Sequence, residues 1–156
     1  MNRMTWRALA LSAGQAGLAG LAGLAALPVQ AQNAVLDAAA KEPGAVVTAS
    51  GLVFRALQEG QGASPSATDT VRVHYRGLFP DGREFDSSYI RGAPASFPLN
   101  RVIPCWTEGL QRMKVGGKAR LTCPSQIAYG ERGAGGVIPP HATLLFDVEL
   151  LGVGGR

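Results

Sequence analysis

The chain has 156 residues and a formal net charge of +4, and it is 46% hydrophobic and 17% charged. This composition predicts one folded domain and excludes disorder throughout, which requires low hydrophobicity and high net charge. The 21 glycines and 10 prolines follow no G-X-Y period, which excludes collagen. Because the lysines and arginines are scattered along the chain, charge predicts no nucleic-acid partner.

The first 31 residues have the three parts of a secretory signal peptide. Arg3 and Arg7 give a basic start, an Ala/Leu/Gly-rich stretch follows, and Val29-Gln30-Ala31 fits the small-residue cleavage pattern. A transmembrane anchor is the alternative, but polar residues, glycines and Pro28 interrupt the apolar stretch. We therefore predict cleavage after Ala31, export to the periplasm or the medium, and no stable membrane insertion. Cleavage removes two arginines and no acidic residue, which lowers the net charge to +2.

The remaining chain is predicted to contain a lead and one domain. Residues 32–50 are rich in alanine, and Pro43 limits any helix there to a short one over Ala34–Lys41, so we expect a flexible lead. The pattern changes at Gly51, and residues 51–152 are predicted to form the domain. They show no internal repeat.

Strands are predicted wherever apolar and polar residues alternate or short β-like runs occur, because successive strand side chains point to opposite faces. The runs are Leu52–Leu57, Thr70–Gly77, Arg83–Ser88, Ser96–Leu99, Lys118–Cys123 and Thr143–Leu151. Pro80-Asp81-Gly82 predicts a hairpin turn between the second run and the third.

One amphipathic helix is predicted over Pro104–Met113. It has proline in its first turn, and Gly116-Gly117 follow its end. A lone helix must bury its apolar stripe against a sheet. The predicted fold is therefore α+β, with a curved antiparallel β-sheet wrapped around one short α-helix.

Most kinds of catalytic site find no support in the sequence. The two histidines, His74 and His141, lie apart on a strand and a loop, so no metal is predicted. Ser87 and Ser88 lack a G-x-S-x-G elbow, which disfavours a serine hydrolase. The glycine-rich segment 133–136 precedes Val-Ile-Pro-Pro rather than a helix, so it is not a phosphate loop, and no cofactor is expected.

The two cysteines, Cys105 and Cys123, stand 18 positions apart without the C-x-x-C spacing of thiol oxidoreductases. Export favours a structural disulfide between them, because disulfides persist in oxidising compartments. Two buried free thiols are the alternative.

Nine aromatic residues follow the predicted cleavage site. Periodicity by itself favours core positions for them and does not show a pocket. They are Phe54, Tyr75, Phe79, Phe85, Tyr89, Phe97, Trp106, Tyr129 and Phe146.

Five motifs, in unbroken order between Gly51 and Leu151, resemble those of the FKBP-type peptidyl-prolyl cis–trans isomerases. They are His74–Gly77, Asp81–Ser88, Val102–Leu110, Ala128–Gly130 and Val137–Leu150. With the export signal, the chain resembles secreted bacterial single-domain members. The resemblance implies the same fold, an antiparallel sheet around a short helix, in which Cys105 stands where glycine is common.

The resemblance also implies a proline-binding pocket. Its implied catalytic residues are Tyr75, Phe85, Asp86, Ile103, Trp106, Tyr129 and Phe146, and its implied substrate-binding residues are Val102, Ala128, Val137, Ile138 and Arg91. Trp106 would form the floor, the Ile103 N–H and the Tyr129 hydroxyl would bind substrate carbonyls, and Arg91 would support Asp86.

The implied activity is rotation of X–Pro bonds during the folding of exported proteins, without a cofactor. The implied partners are proline-containing unfolded or partly folded polypeptides, and macrolides of the tacrolimus type are candidate inhibitors. A proline-directed binding module or chaperone with little turnover is the alternative function.

Overall fold

The structure, a computed structural model, describes residues 28–154. The predicted signal peptide therefore lies almost wholly outside the described residues. Among residues 28–154, no helix is long and apolar enough to cross a membrane.

Within residues 28–154, seven strands form one antiparallel sheet in the order β1-β2-β6-β7-β3-β4, with β5 also paired to β3. They are β1 (Ala45–Val47), β2 (Val53–Gln58), β3 (Thr70–Leu78), β4 (Glu84–Ser87), β5 (Ala95–Pro98), β6 (Lys118–Cys123) and β7 (Leu144–Gly154). One edge of β3 pairs with β7, and the other pairs with β5 and then β4.

The described helices are α1 (Val29–Ala40), α2 (Ser88–Arg91) and α3 (Pro104–Gln111), with 3₁₀ turns at Leu99–Arg101 and Ser125–Ile127. Helix α3 begins with Pro104, and its buried residues join the core formed with the sheet. Gly109 permits a close approach, because a Cβ there would lie 2.8 Å from Leu121 Cδ2 on β6. The predicted α+β fold, an antiparallel sheet around a short helix, is confirmed.

The core follows the predicted alternation along the strands. On β7, Leu144, Phe146, Val148 and Leu150 are buried, whereas Asp147 between them is partly exposed on the other face. Removing one such large apolar side chain from water contributes about 1.5–3 kcal/mol. The inward face of each long strand is therefore a main source of stability.

The outer face carries an ion-pair cluster centred on Asp147. Arg120 donates from Nε to Oδ1 at 2.6 Å and from Nη2 to Oδ2 at 2.8 Å, and Arg76 Nε lies 3.3 Å from Oδ2. Burial raises the pKa of Asp147, but the hydrogen bonds and charges of the two arginines outweigh it and lower that pKa below its ordinary value.

Residues 32–50 contain most of helix α1, which overlaps the short helix expected over Ala34–Lys41, and the strand β1. Helix α1 begins three residues before the predicted cleavage-generated terminus and ends at Ala40, and β1 pairs with β2. Gln32 is 7% exposed, and its Oε1 accepts a hydrogen bond of 2.5 Å from the Thr143 backbone N–H. These contacts are made to residues distant in the chain, so an argument from local alanine content could not predict them.

Candidate functional site

A cavity of about 410 Å³ opens beside the first turn of α3. Its volume lies within the range of small-molecule sites, and four of its lining residues are phenylalanine or tryptophan. The lining consists of Tyr75, Phe85, Asp86, Phe97, Arg101, Val102, Ile103, Trp106, Tyr129 and Phe146.

Trp106 forms the aromatic centre of this cavity and is only 4% exposed. Its ring meets Tyr75, Phe97 and Phe146 edge to face, at centroid distances of 5.2, 5.4 and 5.5 Å. Such pairs contribute about 0.5–1.5 kcal/mol each beyond their buried area. Among the described residues, the buried Trp106 Nε1 has no hydrogen-bond partner.

Gly77 allows two further rings to lie against the cavity. A Cβ at Gly77 would lie 2.5 Å from Phe85 Cζ and 3.0 Å from Phe146 Cε1. The Phe85 and Phe146 rings meet edge to face at 5.8 Å. The glycine of the His74–Gly77 motif is therefore required by ring packing.

One edge of the cavity is a fixed polar cluster of Tyr75, Asp86 and Arg91. The Tyr75 hydroxyl donates to Asp86 Oδ2 at 2.5 Å, while Arg91 donates from Nη1 to Asp86 Oδ1 and from Nη2 to the Tyr75 oxygen, both at 2.8 Å. The Ser87 backbone N–H also donates to Asp86 Oδ1. The carboxylate is thereby held in one orientation.

The same cluster keeps Tyr75 protonated. Burial, with the hydrogen bond to Asp86, raises the pKa of Tyr75 to about 12, against the opposing effect of Arg91. Tyr75 is therefore a hydrogen-bond donor at neutral pH.

Two donors at the cavity remain open to a ligand. Ile103 is the N-cap of α3, and its backbone N–H has no acceptor within residues 28–154. Tyr129 is 38% exposed, and its hydroxyl has no hydrogen-bond partner in the described part of the chain. Burial, and secondarily the charge of Asp86, raises the pKa of Tyr129, so its hydroxyl stays protonated at neutral pH. Both groups can donate to carbonyl oxygens.

A disulfide joins Cys105 to Cys123 beside this cavity, with their Cα atoms 6.0 Å apart. Both residues are fully buried. Cys105 directly precedes Trp106 on α3, and Cys123 ends β6 shortly before the segment that carries Tyr129. The bond therefore joins the helix that carries Trp106 to the strand that precedes the segment with Tyr129.

The structure brings together most of the residues that the resemblance implies. Four residues do not line the cavity. Ile138 is 4% exposed in the core, Ala128 and Val137 pack partly buried against that core, and Arg91 acts on the lining through Tyr75 and Asp86. Arg91 contacts Asp86, as the resemblance implies. Val137 and Ile138 were expected in the lining and Ala128 on its rim, but none of the three is a lining residue, and their role in substrate binding stays a prediction.

Phe97 and Arg101 also line the cavity, although the sequence had not indicated them as lining residues. Phe97 lies on β5 opposite Val71, whose side chain is fully buried, so the pairing places its ring on the inner face. Pairing of so short a strand is decided by its neighbours, although alternation around Phe97 was an available signal. No local signal distinguishes Arg101 from other exposed arginines.

A second cavity, of about 520 Å³, lies between α2 and strands β3, β6 and β7. Its lining includes Arg76, Asp147, Lys118 and Glu149, which are charges of both signs. The first two already pair with each other. In residues 28–154, no group of three or more His, Cys, Asp or Glu side chains could hold a metal ion.

Comparison with known proteins identifies the class to which this fold and cavity belong. Residues 61–151 match the family described as FKBP-type peptidyl-prolyl cis-trans isomerase. The chain belongs to this family.

Two bacterial relatives show the extent of the similarity. The FKBP-type 22 kDa peptidyl-prolyl cis-trans isomerase of Escherichia coli K12 is 57% identical over 116 residues, covering 74% of this chain and 56% of that protein. FkpA of Aeromonas hydrophila is 56% identical over 118 residues, covering 76% of this chain and 44% of that protein. The chain thus spans about half the length of these relatives.

Two solved structures share the fold. The crystal structure of FkpA from Escherichia coli matches with a TM-score of 0.78 and 48% identity, over 80% of this chain and 58% of that one. A peptidyl-prolyl cis-trans isomerase from Pseudomonas syringae matches with a TM-score of 0.77 and 37% identity, over 84% of this chain and 99% of that one.

Proposed function

We propose that the protein catalyses cis–trans isomerisation of X–Pro peptide bonds during the folding of exported polypeptides. The observation that carries this proposal is the cavity, where rings packed around Trp106 lie beside two open hydrogen-bond donors. Family membership supports it.

The cavity suits the energetics of this reaction. An X–Pro bond isomerises without help in tens to hundreds of seconds, because amide resonance sets a barrier of about 18–20 kcal/mol. The twisted transition state has lost that resonance and is less polar than the planar amide. An apolar, water-poor cavity binds the twisted form relatively better, which lowers the barrier without a nucleophile.

Side chains and one backbone N–H at the cavity would position the substrate during rotation. The proline ring would lie against Trp106, while the Ile103 N–H and the Tyr129 hydroxyl donate to carbonyls of the bound chain. Holding both sides of the bond lowers the entropic cost of reaching the transition state. Asp86, fixed by Tyr75 and Arg91, would lie beside the carbonyl carbon that rotates.

The partners that fit this cavity are proline-containing segments of unfolded or partly folded polypeptides. Macrolides of the tacrolimus type would occupy the same space with an apolar ring, and they would then inhibit by competition. Export is supported by the signal-like first 31 residues and by the disulfide, which an oxidising compartment preserves.

A refolding assay tests the activity. The purified protein is added to a client whose refolding is limited by a proline, and the rate constant is measured against protein concentration. We expect acceleration, and we expect Tyr129→Phe to lower kcat/KM about 3- to 10-fold, the effect of one lost hydrogen bond of about 1 kcal/mol.

The matched control is Tyr89→Phe, which removes an exposed tyrosine hydroxyl outside the cavity lining. This variant should retain the unmodified rate. Background refolding rates combined with tight binding of the unfolded client would instead establish the binding module. Equal rates for both variants would remove the Tyr129 hydroxyl from the mechanism.

A further inference from the structure

Two charged side chains line the cavity, and only one of them is neutralised. Asp86 is paired with Arg91 at 2.8 Å. Arg101 is exposed, and its guanidinium makes no hydrogen bond or ion pair with any residue between 28 and 154. The lining therefore presents one uncompensated positive charge to a bound peptide.

The backbone that carries Arg101 is anchored. Arg101 ends the 3₁₀ turn that begins at Leu99, whose side chain is fully buried. The Leu99 N–H donates to the Asp69 carbonyl at 2.9 Å, and the Thr107 hydroxyl of α3 donates to the Leu99 carbonyl at 2.6 Å. The backbone from which the Arg101 side chain extends is therefore held in place at the rim of the cavity.

Arg101 also stands close in the chain to an open donor. It precedes Ile103 by two residues, so their Cα atoms are at most two steps of about 3.8 Å apart. A peptide carbonyl bound at the Ile103 N–H would bring the side chains of its nearest neighbours within reach of an extended arginine. A guanidinium binds carboxylates through paired N–H donors, which gives it geometric as well as electrostatic selectivity.

We propose that Arg101 forms a carboxylate subsite at the rim of the cavity, and that the protein prefers proline segments with Asp or Glu within two residues of the proline. The expected effect of this subsite on turnover rests on the proposed isomerase function. It specifies the class of substrate, namely acidic proline-containing peptides, which the apolar rings alone would not select.

The test uses peptides that differ only at one position within two residues of the proline, where each carries Glu, Gln or Lys. We expect kcat/KM for the Glu peptide to exceed that for the Gln peptide about two- to fivefold, the range of an exposed charge pair, with Lys lowest. The preference should largely disappear in 1 M salt, where the screening length is about 3 Å.

The decisive quantity is kcat/KM for the Glu peptide divided by kcat/KM for the Gln peptide, measured in the unmodified protein and in two variants of Arg101. Arg101→Gln should bring the ratio to about 1, and Arg101→Glu should invert it. Arg112→Gln, which removes an exposed arginine at the far end of α3, should keep the ratio of the unmodified protein. A ratio near 1 in the unmodified protein, or one unchanged by Arg101→Gln, would overturn the subsite.

Peptide affinities measured by calorimetry separate the two proposals. If no peptide is isomerised but the Glu peptide binds more tightly through Arg101, the isomerase proposal fails and the subsite stands. If all peptides are isomerised equally, the isomerase stands and the subsite fails. Equal binding without turnover would overturn both.

Discussion

Reduction of the Cys105–Cys123 disulfide should lower the free energy of unfolding by about 3 kcal/mol. The bond closes a loop with a sequence separation of 18 residues. In the chain-entropy model, opening a loop of this length returns about 11 cal/mol/K to the unfolded chain, which is about 3 kcal/mol at 25 °C. The reduced protein should still fold, because the paired sheet and the other apolar core residues remain to stabilise it.

Urea unfolding of the oxidised and reduced protein measures this difference directly. With a typical slope near 2 kcal/mol/M, the midpoint should fall by about 1.5 M on reduction. Thermal unfolding should show a decrease of about 10 °C in Tm. Both measurements should be made on the same preparation, with and without a thiol reductant.

The variant Cys105→Ala/Cys123→Ala is the control, because reductant cannot change its stability. Since both side chains are fully buried, its own stability should lie below that of the reduced protein by the cost of the deleted sulfur atoms. A change below about 1 kcal/mol on reduction would refute the loop-entropy reasoning. It would mean that the reduced unfolded chain is already compact around this loop.

Three further predictions concern packing and protonation. Gly77→Ala should destabilise the fold by about 1–3 kcal/mol and lower turnover, because the new methyl group displaces the Phe85 ring. Urea unfolding measures the loss of stability, and the refolding assay measures the loss of turnover. Gly154→Ala is the control and should be neutral, because no atom lies within 4 Å of the added Cβ. Absorbance titration at high pH should show one tyrosine ionising near pH 12, and Tyr75→Phe should abolish that step. Because Tyr75 keeps its proton while the unfolded chain loses it near pH 10, stability should fall between pH 10 and 12. The lowered pKa of Asp147 predicts stabilisation above about pH 4 that is lost as pH falls through the folded pKa. Between pH 6 and pH 2, the free energy of unfolding of Asp147→Asn should therefore decrease less steeply than that of the unmodified protein.

The sequence was sufficient to predict the long strands and the central helix. The alternation over Thr70–Gly77 gave β3 to within one residue, and that over Thr143–Leu151 gave β7 except for its last three residues. Pro104 marked the start of α3. These elements are readable because each has one buried and one exposed face, so the period of the pattern directly reports the geometry of the backbone. The family motifs likewise implied eight of the ten residues that line the cavity.

Elements held mainly by distant contacts could not be read in the same way. The sequence allowed a short helix over Ala34–Lys41, which α1 overlaps, but it indicated neither the hydrogen bond from Thr143 to Gln32 nor the pairing of β1 with β2. The short helix α2 is capped by the Ser87 side chain within a run that alternates like a strand. In both cases the local pattern was weak or misleading, and contacts with distant segments or a capping side chain decided the conformation.

The sequence alone determined which residues are apolar and aromatic, how they alternate and which family motifs they form. Only the tertiary structure decided which of these side chains border empty space. It placed Phe97 and Arg101 at the cavity and Ile138 in the core, although nothing local distinguishes a ring beside a cavity from a ring in solid packing. The reason is physical, because a cavity is the space left between several chain segments, and its shape depends on how all of them pack together.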